Sequence, residues 1–248
     1  MRADAFAQHT LLDVQELDRR IDQLRHRLGS LPETQRLAAL ATERVEVDGQ
    51  TRDARIEVDD LAREQRKADA DVEQVKARRT RDQDRMDRGL VTSPKDLARM
   101  QDELVSLARR ISDLEDTELE VMERLEAAQA EHTRLTARLE ELDAEIAEVT
   151  ARRDELAGDI ARDGSAATEE RARTASGVPE DLLALYERIR AQKGGTGAAA
   201  LLRRRCSGCQ MDITAADLGV VSKAPLDEVL RCPECDRILV RTAESGLR

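Results

Sequence analysis

Apolar residues recur at alternating three- and four-residue steps from Leu97 to Ile160, and the phase never slips. Sixteen of the nineteen seam positions are apolar; the exceptions are Glu118, His132 and Arg153. A heptad repeat held over this length is typical of a coiled coil. The pattern predicts one long helix whose 64 residues, counted from 97 to 160, span roughly 96 Å at 1.5 Å per residue.

A weaker repeat precedes this one. Eight of twelve seam positions between Val47 and Met86 are apolar, and an earlier heptad-like stretch from Val14 to Leu31 is out of phase with them. Proline inside a helix removes a hydrogen bond and clashes with the preceding turn. Pro32 therefore predicts a break or kink near residues 31–32.

Turn-forming residues separate the two long repeats at positions 88–94. Gly89 suits a helix C-terminus, Ser93 a helix N-cap and Pro94 the first helical position. A short turn between long helices makes an antiparallel hairpin, which we assign to residues 1–162 with its tip near 88–94. Pairing about this turn sets Val47 opposite Leu135 and leaves the first ~20 residues beyond the end of the second helix.

The remaining chain divides into a linker and a small C-terminal domain. Residues 163–178 are rich in Gly, Ala and Ser without periodicity, which favours a linker. Residues 179–248 begin with a short helix that has one apolar side. The N-terminal segment also carries an apolar stripe, which consists of Val14, Leu17, Ile21, Leu24 and Leu28. We expect the short helix to pack on this stripe; the competing interpretation is that the stripe forms a dimer through residues 10–31.

Composition agrees with long helices better than with an ordinary globule. Charged residues make up 38% and aromatic residues 1%, and the net charge is −11. Residues 1–178 carry 30 basic and 42 acidic residues, whereas residues 179–248 carry 11 and 10. Acidic excess disfavours wholesale phosphate binding by the first part. With no apolar run long enough for a membrane span and no signal peptide, we expect a cytoplasmic protein.

All four cysteines of the chain fall into two pairs, Cys206/Cys209 and Cys232/Cys235, separated by 22 residues. Two residues between ligands let one tight turn present both thiolates to a single ion, and two such knuckles complete a tetrahedron. This spacing predicts one structural Zn²⁺. A disulfide pair is disfavoured in a reducing cytosol, and an iron–sulfur or redox site less typically has this spacing. Four thiolates leave no open position for a catalytic water.

Two basic clusters are candidates for phosphate binding, although each is also readily explained as a solubilising surface. The first surrounds the hairpin tip and comprises Lys76, Arg78, Arg79, Arg81, Arg85, Arg88, Lys95 and Arg99. The second lies around the cysteines and comprises Arg203, Arg204, Arg205, Arg231, Arg237 and Arg241. The scarcity of aromatic residues argues against recognition of single strands by base stacking.

The order of these features resembles the bacterial C4-type zinc-ribbon, coiled-coil family. The resemblance rests on the hairpin followed by Val178-Pro179, Lys193-Gly194-Gly195, Cys206-Ser-Gly-Cys209 and Arg231-Cys232-Pro-Glu-Cys235. It implies a mainly α fold, in which a long antiparallel coiled-coil hairpin is followed by a small four-cysteine zinc ribbon. It also implies an adaptor role, since members are linked to nucleic-acid binding and to transcription or secretion machinery.

No enzyme motif accompanies these features, because the carboxylates lie along helix faces without a nucleophile–base set or a Gly-rich loop. We therefore expect a non-enzymatic adaptor that binds another protein. We expect it to bind neither a small-molecule substrate nor a membrane. The alternative is a protein that binds DNA or RNA directly through the basic ribbon and the hairpin tip.

Overall fold

The computed structural model describes residues 1–247 and is mainly α-helical, as predicted. Its helices are α1 (Ala5–Gly29), α2 (Pro32–Asp87), α3 (Pro94–Ala175), α4 (Glu180–Gln192) and α5 (Ala215–Lys223). Its strands are β1 (Ala198–Leu202), β2 (Arg205–Cys206), β3 (Leu230–Arg231) and β4 (Ile238–Arg241). None of the helices in this part of the chain has the length and apolar character needed to cross a bilayer.

The chain forms two compact units. One consists of residues 35–150 and is called here the hairpin unit. The other, the discontinuous unit, combines residues 1–34 with residues 151–247. The sequence predicts a hairpin over residues 1–162, whereas the hairpin unit of the structure is shorter. Both ends of the predicted hairpin belong to the compact unit that contains the ribbon.

In the hairpin unit α2 and α3 pair antiparallel along the predicted heptad seam. Leu40 and Leu142 are fully buried, and they share one apolar cluster with Val47 and Leu135, the pair predicted to lie opposite each other. Each Leu buried in this way contributes about 1.5–3 kcal/mol. Exposed ion pairs across the helices, such as Arg36 with Glu145, follow the same antiparallel register.

The turn of the hairpin is fixed by the predicted glycine. Gly89 adopts a left-handed φ of 65°, a conformation that costs other L-residues energy. The Gly89 amide donates to the Met86 carbonyl at 2.9 Å and the Leu90 amide to the Arg85 carbonyl at 3.1 Å. This pair of bonds is the Schellman motif that closes helix C-termini. The next helix begins at Pro94, where its missing N–H is harmless.

Helix α3 continues well beyond the predicted hairpin, so the linker assigned to residues 163–178 is wrong over most of its length. Helical structure extends to Ala175, and Ala167 and Ala175 are buried. Alanine has the highest helix propensity, and the final turns are stabilised by packing rather than by heptad leucines. As a result the N-terminal helix is not left beyond α3: the Asp18 carboxylate of α1 pairs with Arg171 of α3 at 3.1 Å.

Helix α1 packs on α4, as the sequence predicts, although through a partly different stripe. Its buried side chains are Ala7, Gln8, Leu11, Val14, Asp18 and Ile21. Leu11 and Val14 share an apolar cluster with Leu182 and Tyr186 of α4. Leu28, which the predicted stripe included, is 42% exposed. The break between α1 and α2 falls at residues 30–31, immediately before Pro32.

The ribbon is a four-stranded sheet in the order β2-β1-β4-β3. Strands β1 and β4 are parallel, and the two outer pairs are antiparallel. The N-terminal residues extend this structure: the Ala3 amide donates to the Asp227 carbonyl at 2.8 Å, and the Val229 amide donates to the Met1 carbonyl at 3.2 Å. The chain's first residues are therefore tied to the ribbon.

Candidate metal centre

The two cysteine pairs sit on tight turns with the same backbone geometry. In the first, the Gln210 amide donates to the Cys206 carbonyl at 2.8 Å, and Gln210 has a φ of 60°. In the second, the Asp236 amide donates to the Cys232 carbonyl at 2.9 Å, and Asp236 has a φ of 62°. Each turn thus folds its two cysteine side chains toward the same point.

Gly208, in the first turn, is required for close approach rather than for a left-handed backbone. A Cβ at this position would lie 2.9 Å from Cδ of Arg237 and 3.0 Å from Cβ of Ala199. Such distances force neighbours to move. The left-handed residue of this turn is Gln210.

The four sulfur atoms form a compact group that fits one tetrahedral ion. Sγ of Cys206 lies 4.0 Å from Sγ of Cys235, and Sγ of Cys209 lies 3.9 Å from Sγ of Cys232. All four sulfurs lie within 4.8 Å of one another. A zinc ion with Zn–S bonds of about 2.3 Å separates neighbouring sulfurs by roughly 3.8 Å. The donor set therefore matches one structural Zn²⁺ held by these cysteines.

The thiols differ in how readily they become thiolates. Burial raises the pKa of Cys232 to about 12 and also raises the pKa of Cys206. Burial acts in the same direction at Cys235. There, hydrogen bonds from Arg237 and from the thiols of Cys232 and Cys209 together outweigh it and lower the pKa to about 7. Zinc binding must therefore expel protons from at least Cys206 and Cys232.

Arg237 joins the metal site to α4. Its Nε donates to the Thr196 carbonyl at 3.0 Å, and its Nη2 donates to the Lys193 carbonyl at 3.0 Å. The same side chain also helps to lower the pKa of Cys235. Because ligand-orienting neighbours of this kind influence metal affinity, Arg237 is a positioning residue for the second knuckle.

Three more of the ribbon arginines nominated from the sequence have intramolecular partners. Arg241 donates to the Ala224 carbonyl at 2.7 Å, at the end of α5. Arg231 and Arg205 pair with the nearby carboxylates of Asp236 and Asp212, at 2.6 and 2.9 Å respectively.

Arg203 and Arg204 stand apart from the other ribbon arginines. Both are exposed and left-handed, with φ values of 48° and 67°. Their amides donate to the Glu244 and Ser245 carbonyls at 2.7 and 3.0 Å. Within residues 1–247 their side chains make no ion pair, so these two are the exposed arginines of the ribbon cluster whose charge is unpaired.

At the hairpin tip the predicted basic residues divide in the same way. Lys76 pairs with Glu115 at 2.8 Å, Arg78 pairs with Glu103, and Arg99 pairs with Asp96 at 3.3 Å. The other five are exposed and form no ion pair within the described part of the chain. They are Arg79, Arg81, Arg85, Arg88 and Lys95.

Comparison with known proteins identifies the family of both parts. The family model for the CT398-like coiled coil hairpin domain matches residues 14–194. The chain belongs to this family. A model of the C4-type zinc ribbon domain matches residues 205–239, the segment that contains all four cysteines. The zinc ribbon and the coiled-coil hairpin predicted from the sequence are thereby confirmed, and no catalytic family is indicated by these matches.

Two solved structures have this fold over nearly the whole chain. A structure from Mycobacterium smegmatis is 32% identical, with a TM-score of 0.80 over 97% of this chain and 100% of that one. CT398 from Chlamydia trachomatis is 17% identical, with a TM-score of 0.64 over 95% and 98%. The uncharacterized protein Rv2229c of Mycobacterium tuberculosis is 50% identical over 68 residues. That match spans 27% of each chain.

Asp18 is a residue of the discontinuous unit that the sequence interpretation missed. It is 5% exposed, accepts a hydrogen bond from Tyr186 Oη at 2.7 Å and pairs with Arg171 and Arg190. Asp18 lies on the same face of α1 as the apolar residues Leu11, Val14 and Ile21. The three- and four-residue spacing of these positions in the sequence was the signal that could have identified it. A carboxylate in that register indicates a buried partner.

Proposed function

We propose that this protein is a non-catalytic scaffold that binds a partner protein in the cytoplasm. The observation that carries the proposal is the closed coordination shell: four mutually close sulfurs, two on each tight turn, occupy every position of a tetrahedral zinc ion. Such a site stabilises a fold and offers no place for a substrate or a catalytic water.

The way the ribbon is attached supports the same proposal. Arg237, the N-terminal residues and the α1–α4 cluster together fasten the ribbon within the discontinuous unit. Gln15 adds two further bonds, one to the Gly195 carbonyl at 3.0 Å and one from the Gly197 amide at 2.7 Å. A recognition module held in this way keeps a fixed surface, which lowers the entropy lost when a partner binds.

The test is affinity purification of the tagged full-length protein from cells that express it natively, with and without nuclease. A scaffold for proteins retains the same partners after nuclease treatment, in stoichiometric amounts. If every co-purifying protein disappears with nuclease, the association runs through nucleic acid. If no protein is retained under either condition, the scaffold proposal is wrong.

A second candidate function is direct binding of DNA or RNA. It is favoured by the unpaired basic side chains, namely Arg203 and Arg204 on the ribbon and the five at the tip. Binding that uses Z phosphate contacts weakens with salt, with a log–log slope of about −0.9Z on duplex DNA. In a gel-shift series, replacing Arg203 and Arg204 by Ala should make that slope shallower by roughly 1.8 if both contact phosphate.

A further inference from the structure

The hairpin unit has a strongly uneven charge distribution along its length. Residues 76–99, called here the basic tip, hold eight basic and four acidic residues, a net charge of +4. The rest of residues 35–150, called here the shaft, holds 12 basic and 26 acidic residues, a net charge of −14. At physiological salt, charges are screened beyond about 8 Å, so the tip presents a locally positive surface.

The contrast remains when ion-paired residues are set aside. In the shaft, basic side chains bridge the two helices, as in Arg44 with Asp143 at 2.5 Å and Arg138 with Glu43 at 2.6 Å. In the tip, two of the four acidic residues are already paired, Asp82 with Arg78 and Asp96 with Arg99. Against the five unpaired cations of the tip stand two remaining carboxylates, those of Asp84 and Asp87.

The basic tip also carries an exposed apolar residue. Leu90, in the turn between α2 and α3, is 65% exposed. Beside it lies a cleft of about 480 Å³ whose lining includes Leu90, Val91 and Met100 together with Arg85. The three carboxylates that also line it, those of Asp82, Asp96 and Glu103, are paired with Arg78 or Arg99. Protein interfaces typically combine an apolar centre with arginine-rich surroundings. Phosphate backbones are instead bound by cations and gain nothing from an exposed leucine.

We infer that the basic tip is a docking surface for an acidic protein segment that carries an apolar side chain. Leu90 receives the apolar side chain, and Arg79, Arg81, Arg85, Arg88 and Lys95 supply the positive charge. This deepens the proposed function by naming the surface and the chemistry of the partner. Asp84 and Asp87 lie among the cations and repel a continuous run of phosphates, whereas a protein segment can place its carboxylates to avoid them.

The test measures fluorescence anisotropy of the zinc-loaded full-length protein with two labelled probes. One is an amphipathic helical peptide with glutamates on one face and leucines on the other, and the second is a DNA duplex of matched net charge. The tip variant is Arg79→Glu/Arg81→Glu/Arg85→Glu. Its control is Arg55→Glu/Arg66→Glu/Arg109→Glu, which reverses the same number of exposed, unpaired arginines on the shaft.

Peptide binding should weaken by at least about tenfold in the tip variant and by less than about twofold in the shaft control. Leu90→Ser should also weaken the peptide several-fold, whereas Val105→Ser, which alters a 54% exposed shaft residue, should not. Equal losses in both charge variants overturn the inference, as does unchanged binding in the tip variant. Tighter binding of the duplex than of the peptide at the tip replaces it with the nucleic-acid alternative.

A second measurement separates this inference from the proposed function. The tip and shaft variants are each used for affinity purification with nuclease, as above. Partners that are lost from the tip variant and kept by the shaft control support the inference if they are acidic. Partners retained at the wild-type level by the tip variant refute the docking surface while leaving the scaffold proposal intact.

Discussion

Asp18 should be the most sensitive single polar residue of the discontinuous unit. Its carboxylate accepts from Tyr186 Oη at 2.7 Å and lies 3.1 Å from Nε of Arg171 and 3.6 Å from Nε of Arg190. These three partners belong to α3 and α4, so the one side chain connects α1 to both. The Asp18→Ala substitution removes the acceptor and leaves all three donors in place.

The expected cost follows from these contacts. A hydrogen bond to a charged group contributes about 1.5–3 kcal/mol, and removing one partner of a fully buried ion pair costs about 3–5 kcal/mol. The two arginines are 22% and 21% exposed and keep Glu187 and Asp22 as partners. The ionic loss therefore falls below the fully buried range, and we expect a total of about 3 kcal/mol.

The protein supplies its own probe for this measurement. Tyr186 is the only tyrosine and there is no tryptophan, so tyrosine fluorescence during urea unfolding reports on the α1–α4 core. With a urea m value of about 2 kcal/mol/M, the midpoint should fall by roughly 1.5 M. Asp13→Ala, at an exposed position of the same helix, should change stability by less than about 0.5 kcal/mol. Similar midpoints for the two variants would refute the reasoning.

Three further predictions concern the metal site and the seam. Cys232→Ser should reduce the zinc content from one equivalent to a trace by elemental analysis. The helical circular dichroism signal should be mostly kept, because α1–α4 lie outside the ribbon. Full zinc retention contradicts this prediction. A chelator should remove zinc more easily as pH falls from about 8 to 6. Protons compete with zinc for thiolates such as that of Cys206, whose thiol pKa is raised. A zinc affinity that does not change with pH argues against thiolate ligation. Leu40→Ala, at a fully buried position, should cost about 2–5 kcal/mol in thermal melts followed by circular dichroism, whereas Val45→Ala, which is 67% exposed, should cost under about 0.5 kcal/mol; equal costs would place the seam elsewhere.

The hairpin could be predicted from the sequence because its packing is nearly one-dimensional. Within the hairpin unit, each seam residue of α3 meets a residue of α2 determined by the position of the turn. The turn itself is marked by Gly89 and Pro94. The zinc ligands were equally predictable, since two-residue spacing within each cysteine pair is a local requirement. In both cases the deciding contacts lie between residues whose relation is visible in the linear pattern.

The end of α3 could not be predicted in this way. Residues beyond 160 lack heptad leucines, and their helical state depends on α1, whose contacts include the pairing of Asp18 with Arg171. Small buried residues such as Ala167 carry no periodic signal. The end of α3 is thus stabilised by α1, and the two contacting residues Asp18 and Arg171 lie about 150 positions apart in the sequence.

The ribbon arginines show the same difficulty at the level of side chains. Arg237 and Arg241 contact backbone carbonyls of α4 and α5 or of the segments that follow them, and carbonyl acceptors have no signature in sequence. Gly197 is similar: a Cβ there would lie 2.6 Å from the Tyr186 carbonyl oxygen. Only the folded arrangement shows why a side chain is excluded at that position.

The discontinuous unit has a consequence for how the chain folds. Its two segments are separated by the 116 residues from 35 to 150, and closing a free loop of that length costs about 4 kcal/mol of chain entropy by the logarithmic rule. Local heptad pairing from the Gly89 turn can proceed without that cost, one turn at a time. When this pairing reaches Arg36 and Glu145, residues 34 and 151 are already neighbours. Formation of the hairpin therefore brings the two segments of the zinc-bearing unit together and removes most of the loop-closure cost of joining them.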